Sequence, residues 1–284
     1  MGNGQRPIAE LPKASGDSAE LARRLAGRRP AVFLDYDGTL TPIVDRPEDA
    51  LISGSMREAV RRLAKRCPVC VVSGRDRLVV QELMGVDDLI VAGSHGFDIW
   101  SPSGGAIQRQ EGAEFLDLLE EVRARLGAEL GAIPGALVEP KSNSVAAHYR
   151  LVAEDQRPRV KEIVDRLLAD YSGKLKITPG KMVYEIQPNV DWDKGKAVLY
   201  LLTALELDRD EVVPIYMGDD ITDEDAFRAL SGRGLGVFVG RADDPEVAGR
   251  LTSADYLLES MEDVEQFLNL VANYAESGRA ASSG

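Results

Sequence analysis

Two aspartates at the end of an apolar run are the residues of this chain best suited to chemistry. Asp35 and Asp37 follow the apolar residues 31–34 and precede Gly38 and Thr39. Because side chains alternate along a strand, both carboxylates point to the same side. Two carboxylates this close repel each other unless a cation or a shared proton compensates, so a divalent cation is their natural partner. A solvated junction between a strand and a turn is the alternative.

Two further apolar runs end in polar side chains. Residues 68–72 lead into Ser73, a glycine and Arg75, ahead of a predicted helix. A hydroxyl, a glycine and a cation in this position would hold a phosphate oxygen, although the same tripeptide is also a common loop. Residues 89–92 lead to His95, which either touches a ligand or is satisfied by the backbone.

A cluster of acids follows the apolar residues 212–217. Five acids occur within the seven residues 219–225. Such a cluster at the end of an apolar strand indicates a hard cation. Asp219 is expected to bind it directly, with Asp223 or Asp220 acting through water. Glu224 and Asp225, the last two acids of the cluster, have another explanation: they fall in the first turn of a predicted helix, where negative charge is favourable.

Lys194 precedes a predicted helix over residues 197–207. A positive charge at the first turn opposes the helix dipole unless an anion lies nearby. Lys194 is therefore a candidate to neutralise both a carboxylate nucleophile and a phosphoryl oxygen. In the alternative interpretation, the polar residues before this helix serve only to cap it, through Asp193 or Asp191.

Strands and helices alternate in the first and last parts of the chain, residues 1–110 and 187–284, except that residues 97–100 and 106–110 are predicted to form a hairpin around a turn at 102–105. This order predicts parallel βαβ units in an α/β, doubly wound and mostly parallel sheet, a Rossmann-like core whose active end is the carboxyl edge of its strands. In the second part, helices are predicted at 245–250 and 262–274. The last eight residues, 277–284, are small and polar and are predicted to be disordered.

Residues 111–186 have a different order, αββαββ, and are predicted to form an inserted α+β domain with an antiparallel sheet and two helices on one face. Acids and cations share its strands: Glu139, Lys141, His148, Arg150, Lys181 and Glu185. A mixed face of this kind suits a polyhydroxylated ligand. A solvated sheet face with surface ion pairs has the same pattern, and the insert alone favours that interpretation.

Composition excludes several classes of function. The 284 residues, 44% of them hydrophobic, suffice for one large domain or two ordinary ones. The net charge of −13 argues against a nucleic acid or an anionic membrane as partner. No run of about 18 apolar residues and no signal peptide is recognisable, so a cytoplasmic protein is expected. Cys67 and Cys70 are expected to be ordinary buried thiols, since a metal site would need two more ligands.

Taken together, the polar strand ends resemble the four motifs of the haloacid dehalogenase superfamily of phosphatases. These motifs are residues 35–39, Ser73, Lys194, and residues 218–220 with Asp223. The insert resembles the αββαββ type of cap. More narrowly, residues 30–265 resemble the trehalose-6-phosphate phosphatase family in residues 35–43, 73–75, 93–96, Glu139 with Lys141, 148–150 and 218–227.

The resemblance implies a Mg²⁺-dependent phosphatase that acts on trehalose 6-phosphate. Asp35 would attack phosphorus and form an aspartyl-phosphate, and Asp37 would protonate the leaving sugar oxygen and later deprotonate water. Mg²⁺ would be held by Asp35, the backbone carbonyl of Asp37 and Asp219, supported by Asp220 or Asp223.

The resemblance also assigns the contacts with substrate. Ser73, Arg75 and Lys194 would hold the phosphoryl oxygens. Tyr36 and His95 are expected near the substrate. A closing cap would bind the sugar hydroxyls and exclude water through Glu139, Lys141, Lys181 and Glu185.

Other functions remain open from the sequence. The substrate would alternatively be sucrose phosphate or a mannosyl- or glucosyl-glycerate phosphate. A phosphomutase is another option, as is a non-catalytic sugar-phosphate sensor or regulatory partner of a synthase, although the complete set of catalytic residues counts against a sensor. A trehalose-6-phosphate synthase is expected as a functional partner.

Overall fold

The computed structural model describes residues 4–14, 18–102, 109–110 and 113–282. The chain divides into a core unit, Met1–Arg109 with Asp193–Gly284, and a cap unit, Gln110–Trp192. The sequence prediction ends the insert at residue 186, whereas the cap unit continues to Trp192. The physical reason is a side-chain anchor: the Lys176 ammonium donates to the carbonyl oxygens of Val190 at 2.7 Å and Trp192 at 3.0 Å.

Strands and helices are numbered in chain order. The strands are β1 Arg6–Pro7, β2 Arg29–Leu34, β3 Val69–Val72, β4 Ile90–Gly93, β5 Asp98–Trp100, β6 Arg109–Gln110, β7 Leu137–Pro140, β8 Val145–His148, β9 Leu175–Gly180, β10 Val183–Pro188, β11 Val212–Gly218, β12 Leu235–Val239, β13 Leu251–Thr252 and β14 Tyr256–Leu258. The helices are α1 Ser18–Leu25, α2 Gly54–Ala64, α3 Arg77–Met84, α4 Leu116–Leu130, α5 Arg157–Asp170, α6 Lys194–Ala204, α7 Asp223–Leu230 and α8 Met261–Ser282.

The core unit is built on one large sheet with the strand order β14-β12-β11-β2-β3-β4-β5-β6 among the described residues. Neighbouring strands from β14 to β4 pair in parallel, and β5 pairs antiparallel with β4. A parallel sheet is covered on both faces, which explains why β2, β3 and β11 are continuous apolar runs. The predicted α/β fold with a mostly parallel sheet is confirmed.

Helices cover both faces of this sheet. On one face, Ile215 of β11 lies in a buried cluster with Val60 of α2 and Phe267 of α8. The next residue, Tyr216, points to the opposite face, where its ring meets that of Phe227 on α7 at 5.7 Å between centroids. The alternation of side chains along β11 therefore fixes which helix layer each residue contacts.

The cap unit is an antiparallel sheet of order β7-β8-β10-β9 with α4 and α5 on one face. Leu126 of α4 and Val164 of α5 pack with Ala147 and Ile186 of the sheet. The elements follow the predicted order αββαββ. The residues of the other parity lie on the face without helices, and they include the polar side chains of Glu139, His148 and Glu185.

Two segments of the core unit differ from the sequence prediction. Residues 245–250 form turns instead of a helix, and Gly249 adopts a left-handed φ of 77° that ends the run. Helix α8 continues to Ser282, where disorder was predicted from residue 277. The Ser277 hydroxyl donates to the Asn273 carbonyl within this helix, and the alanines that follow favour helix strongly. Residues 283–284 and residues 103–105, which make up most of the predicted hairpin turn, lie outside the described residues.

The two cysteines, Cys67 and Cys70, are buried free thiols. Burial raises the pKa of Cys70 above its ordinary value. Among the described residues, no helix combines the length and the apolar character that crossing a membrane requires.

Candidate active site

The polar residues predicted from the strand ends meet at the carboxyl edge of the core sheet. Asp35 follows β2, Ser73 follows β3 and Asp219 follows β11. Strands β2 and β11 are neighbours, and the Asp35 N–H donates to the Met217 carbonyl at 2.9 Å. Since parallel strands end at the same edge, side chains distant in sequence are brought into one cluster.

The Lys194 ammonium lies inside this cluster. It donates to Asp35 Oδ1 at 2.9 Å and to Asp223 Oδ1 at 2.7 Å, and all three side chains are buried. Burial by itself would lower the pKa of Lys194, but the attraction of Asp223 and Asp35 outweighs it and raises the pKa. Helix α6 begins at Lys194, with Asp193 as its cap. The two carboxylates therefore supply the anions that a lysine at a helix start requires.

Asp223 accepts two hydrogen bonds at each of its carboxylate oxygens. Its Oδ1 accepts from Lys194 and, at 2.6 Å, from the Tyr216 hydroxyl. Its Oδ2 accepts from the backbone N–H groups of Asp219 and Asp220, both at 2.9 Å. Burial raises the pKa of Asp223, but these partners, Lys194 first, lower it overall. Asp223 thus positions the acidic loop and the lysine, and its oxygens are occupied without a cation.

Tyr216 is a site residue that the sequence analysis missed. It is fully buried within β11, and burial followed by the nearby carboxylate of Asp223 raises the pKa of its hydroxyl. The signal was present: a tyrosine inside an apolar strand buried on both faces needs a hydrogen-bond partner for its hydroxyl.

The carboxylates of Asp35, Asp219 and Asp223 have oxygens within 4.8 Å of one another. Burial raises the pKa of Asp35 well above its usual value, and three neighbouring carboxylates raise it further against the attraction of Lys194. One ammonium does not balance this negative charge, so a divalent cation fits the donor set. Because the oxygens of Asp223 are occupied, Asp35 and Asp219 are the side chains suited to hold it.

The loop after Asp37 is shaped to receive Asp219. Gly38 has a left-handed φ of 76°, and a Cβ there would lie 2.0 Å from Asp219 Oδ2. Thr39 is fully buried, and its hydroxyl has no hydrogen-bond partner within the described part of the chain. An unsatisfied buried hydroxyl beside these carboxylates is a further oxygen or proton donor for a ligand.

Arg75 and Asp37 form a bidentate ion pair. Arg75 Nε donates to Asp37 Oδ2 and Nη2 donates to Oδ1, both at 2.7 Å. The guanidinium also lies 5.6 Å from the centre of the Tyr36 ring. The sequence prediction gave Arg75 to phosphoryl oxygens and Asp37 to proton transfer. In this structure the two side chains are paired with each other, and both roles stay predictions.

Tyr36 differs from its predicted place near the substrate. Its side chain is fully buried, and its hydroxyl donates to the Ala50 carbonyl at 2.8 Å. Burial raises the pKa of Tyr36 to about 12. The reason is the alternation that aligns Asp35 with Asp37, since it turns the residue between them to the other side. A ligand would meet only the main chain of Tyr36.

His95 lies against the Ser73–Arg75 loop. The backbone N–H of His95 donates to the Ser73 carbonyl at 2.8 Å, and the backbone φ of His95, 56°, is left-handed. The imidazole lies so close to Gly74 that a Cβ there would be 2.8 Å from His95 Cε1. The Ser73 hydroxyl is buried and accepts from the Arg75 N–H at 3.1 Å. His95 therefore supports this loop, and its contact with substrate stays a prediction.

The cap unit carries a second polar cluster, on the sheet face without helices. Lys141 Nζ donates to Glu185 Oε2 at 2.7 Å, and Glu139 Oε2 lies 2.7 Å from His148 Nε2. Ser144 donates to the other oxygen of Glu185. The structure thus brings together the predicted Glu139, Lys141 and Glu185, with His148 and Ser144 as partners that the prediction of sugar contacts did not include.

Lys181, the fourth predicted sugar contact, lies in the turn between β9 and β10. Its carbonyl accepts from Arg150 at 2.9 Å. It is therefore outside the paired strands that hold the other three residues.

The sequence model of the trehalose-phosphatase family matches residues 33–258. A trehalose-phosphate phosphatase of Mycobacterium avium is 41% identical over 280 residues, which cover 97% of this chain and 70% of that protein. An uncharacterized glycosyl hydrolase of Mycobacterium tuberculosis is 42% identical over 275 residues, 96% of this chain. The chain spans 20% of the length of that hydrolase.

The fold is also similar to a solved structure, the C-terminal domain of C. albicans trehalose-6-phosphate phosphatase. The TM-score is 0.77, at 22% sequence identity, and the match covers 95% of this chain and 99% of that one. At 22% sequence identity, this similarity is evidence for the fold alone.

We expect Tyr216→Phe to destabilise the core unit by about 1.5–3 kcal/mol, because it removes a hydrogen bond to a buried carboxylate. The matched control is Tyr36→Phe, which removes a bond to a neutral carbonyl and should cost about 1 kcal/mol. Urea unfolding of the two variants gives the comparison. A loss for Tyr216→Phe no larger than that for Tyr36→Phe would contradict the assigned role of Asp223.

Proposed function

The chain belongs to the trehalose-phosphatase family, and we propose that it hydrolyses trehalose 6-phosphate to trehalose and phosphate. The observation that supports this most is the buried Asp35 carboxylate, bonded to Lys194 at the edge of the sheet beside Asp219. A carboxylate held by an ammonium, next to a place suited to a divalent cation, is a nucleophile for phosphoryl transfer.

The first step forms a bond between Asp35 and phosphorus and breaks the bond between phosphorus and the sugar oxygen. Lys194 occupies Asp35 Oδ1, so Oδ2 is the attacking oxygen. In the second step water attacks the aspartyl-phosphate, which releases phosphate and restores the Asp35 carboxylate. Ser73, whose hydroxyl oxygen already accepts from Arg75, uses its O–H to donate to a phosphoryl oxygen.

Asp37 moves the protons of both steps. It protonates the leaving sugar oxygen in the first step and takes a proton from water in the second. Its bidentate pair with Arg75 has to separate beforehand. The released guanidinium then has its donors free for the oxygens of the phosphoryl group, which reconciles the two roles predicted for these residues.

Mg²⁺ is the proposed cofactor, and it would be held by the side chains of Asp35 and Asp219 and the backbone carbonyl of Asp37, with Asp220 or Asp223 acting through water. When bound, it supplies positive charge that neutralises the phosphoryl oxygens.

Recognition of the sugar is assigned to the cap unit, through Glu139, Lys141, Glu185 and Lys181. Carboxylates accept from sugar hydroxyls and lysines donate to them, so a mixed face discriminates a disaccharide from a simple phosphate ester. A trehalose-6-phosphate synthase is the proposed supplier of substrate, and the cytoplasm is the proposed location.

Asp35→Asn should abolish phosphate release from both trehalose 6-phosphate and an aryl phosphate, because an amide is not a nucleophile for phosphorus. Phosphate release and thermal unfolding are measured on each variant. Asp87→Asn, an exposed substitution of the same kind, should retain full activity. Turnover by folded Asp35→Asn on either substrate would overturn the assignment of the nucleophile.

Removal of divalent cations with EDTA should stop turnover, and Mg²⁺ should restore it. Mg²⁺ should also raise the thermal unfolding midpoint of the EDTA-treated protein, since a ligand that binds the folded state stabilises it. Asp219→Asn should show a much smaller rise. An equal rise in this variant would argue against Asp219 as a ligand.

Lys141→Ala should lower kcat/KM for trehalose 6-phosphate about tenfold to a hundredfold, as expected for losing a hydrogen bond from a charged group. Aryl phosphate turnover should be unchanged. Lys161→Ala is the control, because Lys161 is an exposed lysine of α5. Equal losses on the two substrates would contradict the role of the cap unit in specificity, and a panel of sugar phosphates would show whether another one is preferred.

A further inference from the structure

Strand β8 runs through the middle of the polar face of the cap unit. Ala146 of β8 is paired with Glu139 of β7 on one side and with Glu185 of β10 on the other. Side chains two residues before and after Ala146 lie on the same face and diagonally next to these carboxylates. They are Ser144 and His148.

Each of these two side chains contacts one of the carboxylates. Ser144 donates to Glu185 Oε1, and His148 Nε2 lies 2.7 Å from Glu139 Oε2. Ala146 between them is fully buried, and its methyl group makes no hydrogen bond to either carboxylate. The sequence Ser144-x-Ala146-x-His148 therefore supports both acids from one strand.

The two acids differ in what remains for a ligand. Each oxygen of Glu185 already accepts a hydrogen bond, one from Ser144 and the other from Lys141. Glu139 uses Oε2 for His148, while Oε1 makes no hydrogen bond within the described residues, and the side chain is 33% exposed. Burial raises the pKa of Glu139, but His148 and Lys141 lower it overall, which keeps it a carboxylate. Glu139 is thus the acid that presents an unoccupied oxygen.

We propose that His148 is a positioning residue for sugar recognition: its Nε2–H donates to Glu139 Oε2 and thereby directs Oε1 toward a hydroxyl of the disaccharide. The inference rests on the proposed function and extends it. In this inference His148 strengthens binding of the sugar and takes no part in the chemistry at phosphorus. A carboxylate oxygen is an acceptor only, so the imidazole nitrogen facing it carries the proton.

The test uses the full chain, trehalose 6-phosphate and an aryl phosphate. His148→Ala should raise KM for trehalose 6-phosphate about tenfold, leave kcat within about twofold, and leave aryl phosphate hydrolysis unchanged. His148→Gln should keep KM near the wild-type value, because the glutamine Nε2 donates from about the same place. Thermal unfolding establishes that each variant is folded.

A double-mutant cycle separates positioning from direct contact. In a Glu139→Ala background, His148→Ala should raise KM no further, because the group it positions is gone. Multiplied losses in the double variant, an unchanged KM in His148→Ala, or equal losses on both substrates would overturn the inference while the proposed function stands. A wild-type chain that releases no phosphate from trehalose 6-phosphate would overturn the proposed function and this inference with it.

Discussion

The buried ammonium of Lys194, between Asp35 and Asp223, is the interaction on which the candidate active site depends. Removing charged groups from water costs several kcal/mol for each ion, and only close pairing with further hydrogen bonds offsets it. Asp223 provides that pairing, since it also accepts from Tyr216 and from the backbone of Asp219 and Asp220. The buried charges are therefore paired, and the contacts that pair them join α6, α7, β11 and the end of β2.

Sequence patterns predicted the parts of this arrangement that follow from local periodicity. Alternation along β2 aligned Asp35 with Asp37, and the change in element order marked the cap unit. The same alternation directs the side chain of Tyr36 into the core. The prediction that placed Tyr36 near the substrate did not take this into account. Partners such as Tyr216 for Asp223, or Arg75 for Asp37, depend on side-chain contacts across the fold that no local pattern specifies.

The predicted helix at 245–250 shows that a local pattern can also predict an element that does not form. Its short sequence has helix-forming residues, yet it forms turns in which the Val247 and Ala248 N–H groups both donate to the Asp244 carbonyl. A helix this short gains few hydrogen bonds for the cost of nucleation, and the left-handed φ of Gly249 is incompatible with a continuing helix. The tail of α8 is longer and continues a packed helix, which explains why its small residues remain helical.

The core and cap units orient their carboxylates by the same physical means. In the core unit, Lys194 bonds Oδ1 of Asp35, which leaves Oδ2 for phosphorus. In the cap unit, His148 bonds Oε2 of Glu139, which leaves Oε1 for a hydroxyl. A carboxylate held at one oxygen has lost most of its rotational freedom before a ligand arrives, so less entropy is lost on binding. The partner differs because the tasks differ. An ammonium lowers the energy of a buried nucleophile that bears charge, whereas an imidazole fixes the direction of an acceptor that solvent already reaches.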